Sequence, residues 1–249
     1  MHITANLLFR DTINFFKLKR STIIIFILLS SSLTLTIDSI ITPNIKFTFD
    51  LNQLNIDKYY SVLNFFKTLN LDQQKMLLLS SITRSFSLLI GNTLLLGNLI
   101  KFIQNTSCNK LTNFFASNNL SFRLFFRLMQ LIFITTFITQ LGFLSFVIPG
   151  MIFFIFFSLS PIILITENKT VFDSIYLSTK IIFQHFKIII PAITFWLCLK
   201  VLIILIISHI KILSEYTELF ILNLCMNFIS SILIIYLFRF YMLFSKNQK

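Results

Sequence analysis

The sequence predicts an all-α fold, a bundle of about six transmembrane helices with both termini cytoplasmic, and three observations carry that prediction. The first is composition. Hydrophobic residues fill 56% of the 249 positions and charged residues 12%, with a mean hydropathy of +0.85; a soluble domain carries about a quarter charged residues. The second is one uncharged stretch. Thirty-nine residues separate Arg127 from Glu167 without a charged side chain, and a Pro149-Gly150 pair lies among them. As one helix the stretch would be roughly 58 Å long, about twice the hydrocarbon core of a bilayer, so it has to cross twice as a hairpin. The third is the placement of cations. With six crossings, fourteen Lys and Arg flank the spans on the side of the termini and six on the other, with Lys200 inside a span. Cytoplasmic flanks carry that excess.

The elements follow in order. Residues 1–20 predict a short interfacial helix with Phe9, Ile13 and Phe16 on one side. The first span, about 21–41, comes after Arg10, Lys17, Lys19 and Arg20. It is long and lacks a small-x-small cleavage site, which makes it a retained anchor and not a signal peptide. Residues 42–84 form an outer loop of about forty residues, too short for a domain of its own. Within that loop Asp72 opens a helix with an acidic cap that leads into the second span. That span, about 85–103, begins after Arg84 and is short enough that its helix should extend a turn at each end.

The third and fourth spans, about 122–141 and 145–166, are the hairpin. A turn at Gly142 to Ser145 puts Pro149 in the first turn of the fourth helix, where its missing N–H has no helical partner. A turn at Pro149-Gly150 would leave about sixteen residues for the return crossing, which is short. The fifth and sixth spans run over about 188–208 and 219–243. Pro149 and Pro161 are kink candidates in one helix, and Pro191 falls near the start of the fifth span. The whole chain, 1–249, is a single integral membrane domain without a visible internal repeat or a nucleotide-binding glycine loop.

Several function classes are disfavoured. The net charge of +12 comes from short segments beside apolar runs, not from a basic face on a polar helix, so no nucleic-acid partner is expected. Cys108, Cys198 and Cys225 have no metal-ligand spacing and read as structural thiols. His2, His185 and His209 are dispersed, and no Ser, Cys or Asp has a base at a recognisable spacing. The expectation is therefore no metal, no cofactor and no enzymatic activity. The 32 Phe beside 4 Gly and 4 Pro fit drift in an AT-rich genome, so aromatic-rich stretches are weak signals of binding.

The informative residues are the polar ones inside spans. Lys200 stands in mid-span five, where an ammonium must face a cavity, pair or snorkel. Asp38, toward the outer end of span one, is its natural counter-charge, and Ser31, Thr34 and Asp38 share a helix face. The two form a gate or substrate-contact pair, or else Asp38 sits at the outer interface and Lys200 packs against carbonyls. In span six Asn223, Asn227, Ser230 and Ser231 recur at helical spacing, a stripe that suits interhelical hydrogen bonds or a pathway. Gly91 follows Ser87 by four and Gly97 follows Thr93 by four, a spacing for close helix approach. With Gly142, Pro149 and Gly150 at the hairpin, these are the packing candidates. Arg239 and Tyr241 read as interfacial anchors, and Trp196 lies within span five.

Ile3-Thr4-Ala5, Arg10-Asp11, Asn14-Phe15-Phe16, Leu89 to Asn92 and Val147 to Met151 resemble landmarks of the YciC-like inner-membrane proteins of gamma-proteobacteria. The run from Ile234 to Leu243 is the closest match, and the landmarks cover the chain end to end. The resemblance implies a six-span protein of the bacterial inner membrane without an established biochemical activity, and the AT-biased composition suits a member from a reduced-genome endosymbiont. A looser pattern, Pro149-Gly150, Pro161, Glu167 and Ser174 to Ser178, is similar to one in several bacterial membrane domains, including those attached to some glycerophosphodiester phosphodiesterases. It transfers architecture only. The sequence thus reads as a structural or accessory membrane component that acts through the lipid bilayer or a membrane-protein partner. The alternative is a small-solute transporter or channel-like protein whose polar route passes Lys200, Asp38 and the span-six stripe. The oligomeric state is not encoded in any feature of the sequence.

Overall fold

Inside a bilayer an apolar chain has only its own backbone to hydrogen-bond, and every described element is an α-helix. The computed structural model describes residues 4–41, 70–107, 121–209 and 215–247. In chain order the helices are α1 (Ala5–Ile41), α2 (Leu71–Ser107), α3 (Phe122–Ser145), α4 (Val147–Phe157), α5 (Ser160–Glu167), α6 (Val171–Gln184), α7 (Phe186–His209) and α8 (Glu215–Asn247). Among the described residues six stretches are long and apolar enough to cross a membrane: α1, α2, α3, α4 with α5, α7 and α8. Helix α6 is a shorter amphipathic element that docks on α4 and α5.

Three details refine the sequence-based expectation. First, the expected helix before span one is present, joined to the span across a kink with non-helical backbone at Lys19 (φ −118°, ψ 21°), so that α1 is two helices in succession. The buried face of the first is Leu8, Thr12 and Phe15, while Phe9 stays half-exposed. The reason is Phe15, whose ring meets the edge of Phe102 on α2 at 6.4 Å and carries the Arg239 guanidinium at 5.1 Å. Second, the helix expected to open at Asp72 is present: α2 starts at Leu71 with Asp72 in its first turn and runs without a break into span two. The rest of the expected outer loop, 42–69, lies outside the described residues, as does Cys108. Third, the hairpin turns on Phe146, one residue beyond Gly142 to Ser145, through an extended backbone (φ −158°).

That turn keeps Pro149 in the first turn of α4 and lets the two helices touch at glycines. A Cβ on Gly142 would lie 2.9 Å from the Gly150 Cα, and one on Gly150 would overlap the Phe143 ring. Pro161 then breaks the fourth crossing. With no N–H to offer the Phe157 carbonyl four residues back, the proline leaves that oxygen to the Ser160 hydroxyl, which donates to it at 2.6 Å. One residue earlier, the Phe156 carbonyl accepts from Ser178 on α6.

Helices α1, α2 and α8 form the most closely packed group; α5 packs on α2 and α3, and α7 leans mainly on α8. The core is concentrated toward the end that bears the termini, where Leu99, Ile103, Leu128, Ile163, Ile235 and Phe240 are fully buried. Toward the other end Leu78, Phe137, Leu144 and Leu205 are exposed, as lipid-facing side chains of a splayed bundle are.

Candidate functional site

Among the described residues two polar groups stand out within the membrane-spanning part, and both use α8. The first joins α1, α2 and α8. The Asn227 amide donates to Ser31 Oγ at 2.9 Å, with Ser30 Oγ at 3.5 Å. Ser30 donates across to the Gly91 carbonyl on α2 at 2.8 Å, and Ser231 donates to the Asn227 carbonyl at 2.8 Å. Gly91 is what admits this approach: a Cβ there would overlap Thr34 Cγ2 and stand 3.4 Å from the Ser30 carbonyl. Asn227, Ser30, Ser31, Thr34 and Ser231 are all buried. The cluster is a closed knot, and such side-chain hydrogen bonds hold helices together where lipid offers no alternative partner.

The second is hollow. A cavity of about 210 Å³ lies between α2, α3, the α4–α5 break, α7 and α8. Lys200 reaches it from α7, and Asn92, Thr139, Ser158 and Ser230 supply further polar groups. Asn92 and Thr136 also line a larger groove, about 570 Å³, between α2 and α3, which continues past Ser85 and Gln140. An ammonium beside hydroxyls and an amide in a cavity is the intramembrane arrangement in which a Lys is tolerated.

These positions sort the sequence-derived candidates. Asn227 belongs to the knot and Ser230 to the cavity, while Asn223 is half-buried and lies outside both. The span-six stripe is therefore divided between two environments. Asp38 is half-buried on α1, and no α1 residue lines the Lys200 cavity, so Asp38 and Lys200 do not share one site there. Ser87, Gly91, Thr93 and Gly97 are all buried, and Gly142 meets Gly150 at the hairpin beside Pro149.

A third polar region, at the terminus-bearing end, was not visible in the sequence. Tyr241 does not point outward as an anchor; it is buried and donates to Glu167, which also pairs with Lys169 at 2.8 Å. Arg127 donates to the Lys169 and Asn168 carbonyls, closing the left-handed turn at Asn168 (φ 53°) before α6. Helix α6 is capped by Thr170, whose side chain accepts from the Asp173 amide. Arg239 is likewise turned inward over Phe15. Side chains of this kind look like interfacial anchors because their position along the helix is legible while their azimuth is not.

An all-α bundle with six crossing-length apolar helices, tied through buried hydroxyls and an amide, defines a polytopic helical membrane protein. The chain belongs to the UPF0259 family: the family described as "Uncharacterised protein family (UPF0259)" matches residues 1–243. It is 60% identical over 249 residues to a "UPF0259 membrane protein" of Buchnera aphidicola subsp. Baizongia pistaciae, covering all of both chains. Its identity to the protein of that name in Serratia proteamaculans is 35%, over 98% of this chain and 99% of the relative. For the Yersinia pestis relative the identity is 32%, over 98% and 96%. No solved structure matches the chain. The landmarks from Ile3 to Leu243 that resemble YciC-like proteins fall within the range of the family match.

Proposed function

We propose that this protein is an accessory component of the bacterial inner membrane that acts through lipid or a membrane-protein partner and performs no catalysis of its own. In this reading both termini are cytoplasmic, which the excess of Lys and Arg on their side supports. The observation that carries the reading is the Ser30–Ser31–Asn227–Gly91 knot. Its buried side chains tie α1 to α2 through the Gly91 carbonyl and to α8 through Asn227, which is a packing role. The test is affinity purification in mild detergent followed by native mass spectrometry. A stoichiometric protein partner or one tightly held lipid class is the expected result; a clean, partner-free and lipid-free protein that carries a solute flux in liposomes overturns it.

One observation favours a transporter or channel-like protein instead, namely the cavity at Lys200 and its continuation between α2 and α3. Lys200→Leu separates the two. The accessory reading expects normal insertion and normal recovery of partners, and the transport reading expects a stable protein whose flux is lost.

A further inference from the structure

The lysine and arginine side chains at the terminus-bearing end are not all matched in the same way. Lys169 is paired with Glu167 in a cleft of about 410 Å³ beside α6, where Lys180 is the second cation. A separate cleft of about 390 Å³ opens between α1, the end of α2 and α8. Among the described residues it is lined by three cations, Lys19, Arg239 and Lys246, and by no carboxylate. The break in α1 falls at Lys19 itself, so the wall of the cleft is the point where the two halves of that helix change direction.

Arg239 is the fixed element. Its guanidinium lies over the Phe15 ring at 5.1 Å, and its Nε is buried without a hydrogen-bond partner. A buried donor left unmatched is costly and calls for an explanation, and a planar guanidinium is the side chain best suited to phosphate oxygens. The two hydroxyls in the lining do not compete for that role. Thr106 donates to the Phe102 carbonyl and Ser107 to Ile103 and the Met242 sulfur. The cleft is therefore a cationic pocket with a stacked, under-satisfied arginine at its base.

Its remaining walls are apolar: Phe15, Leu18 and Met242, with Leu18 80% exposed. From this level the outward face of α1 continues into the membrane as exposed Ile24, Ile25, Leu28 and Leu29. A phosphate seated among the cations would thus stand at headgroup depth with an apolar strip beneath it for acyl chains. Basic pockets between transmembrane helices hold anionic headgroups in this way.

We infer that this cleft binds the phosphate of an anionic glycerophospholipid, with Arg239 as the positioned donor and Lys19 and Lys246 as flanking cations. The inference deepens the lipid-directed reading above and rests on it. It also specifies one site and one class of headgroup, so the two can fail separately.

The experiment uses the full-length protein in nanodiscs of phosphatidylcholine doped with phosphatidylglycerol or with cardiolipin, and native mass spectrometry counts the lipids retained on release. The wild-type chain is expected to retain one anionic lipid with a preference of about tenfold over phosphatidylcholine, a margin of about 1.4 kcal/mol. Arg239→Gln should abolish the preference. Because that side chain is partly buried, the exposed pair Lys19→Gln/Lys246→Gln is the deciding variant and should lower the preference several-fold with the fold intact. Lys180→Gln, in the neighbouring cleft, should leave it unchanged. Equal retention of both lipid types overturns the site, and so does an undiminished preference in the double variant or an equal drop in Lys180→Gln. Displacement by inorganic phosphate as effective as that by lipid would assign the cleft to a soluble phosphate and overturn the lipid. Loss of the site with partners still recovered leaves the accessory reading standing. Solute flux through a partner-free protein that still prefers anionic lipid overturns the accessory reading and leaves the site.

Discussion

The two polar groups inside this bundle are built on opposite plans, and α8 is the wall between them. Asn227 and Ser230 lie three residues apart on that helix, yet one closes a hydrogen-bonded knot with α1 and the other faces a cavity with Lys200. In the knot, small residues bring backbones together until Ser30 reaches the Gly91 carbonyl directly. In the cavity, the break at Ser158 and Pro161 and the bulk of Phe154 and Phe157 keep α4 and α5 from closing on α2 and α8. Polarity within a membrane is thus no index of a route. What separates the two groups is whether neighbouring helices can approach, and that is decided by glycine on one side and by proline on the other.

The comparison can be broken most forcefully at Gly91. Gly91→Leu should remove the folded bundle, seen as loss of a monodisperse peak in detergent. Gly91→Ala should cost about 1–3 kcal/mol, the usual range for overpacking. Thr34→Ser, which deletes the methyl that a Gly91 Cβ would strike and keeps the hydroxyl, should restore a large part of that loss. A double variant no better than Gly91→Ala would show that Thr34 is not what limits the approach.

Next in size is access. In a background without the native cysteines, Ser230→Cys should react with a small water-soluble thiol reagent about tenfold faster than Ser31→Cys, since an open cavity that holds Lys200 and several hydroxyls admits water and a closed knot does not. Equal rates would erase the distinction between the two groups. Removing the knot's donor is a smaller change: Asn227→Leu should lower stability by about 1 kcal/mol, the scale of an intramembrane side-chain hydrogen bond. Thermal melting in one detergent measures it. Lys200→Leu should give the smallest change, within about 0.5 kcal/mol of the wild type or slightly more stable, because it relieves an ammonium at membrane depth without touching the knot. A large destabilisation would mean that Lys200 holds α7 in place.

Much of this was legible in the sequence because it depends on position along a helix. The uncharged run from Leu128 to Thr166 had to be a hairpin, and Pro149 suited the start of its second arm better than the turn itself. Ser87, Gly91, Thr93 and Gly97 marked an α2 face that is buried. The rest depends on which helix stands opposite. Ser31 and Thr34 on span one and Asn227 on span six could each be singled out, but nothing in one chain's spacing says that they face each other. For the same reason Asp38 seemed the natural partner of Lys200, whereas α1 lies outside the Lys200 cavity. Adjacent positions 230 and 231 are about 100° apart around a helix of 3.6 residues per turn, enough to put the two serines in different environments. For Tyr241 and Arg239 the spacing suggested anchors at the end of α8 and did not reveal that they turn toward Glu167 and Phe15.

The bond from Ser178 to the Phe156 carbonyl has a consequence for biogenesis. The fourth crossing is synthesised before Ser178 exists, so the broken helix enters the membrane without that hydroxyl. Its completion waits on the next stretch of nascent chain, because a main-chain oxygen inside a membrane-spanning segment has no solvent to turn to. The arm from Val147 to Glu167 and the helix from Val171 to Gln184 therefore complete their bonding as one unit.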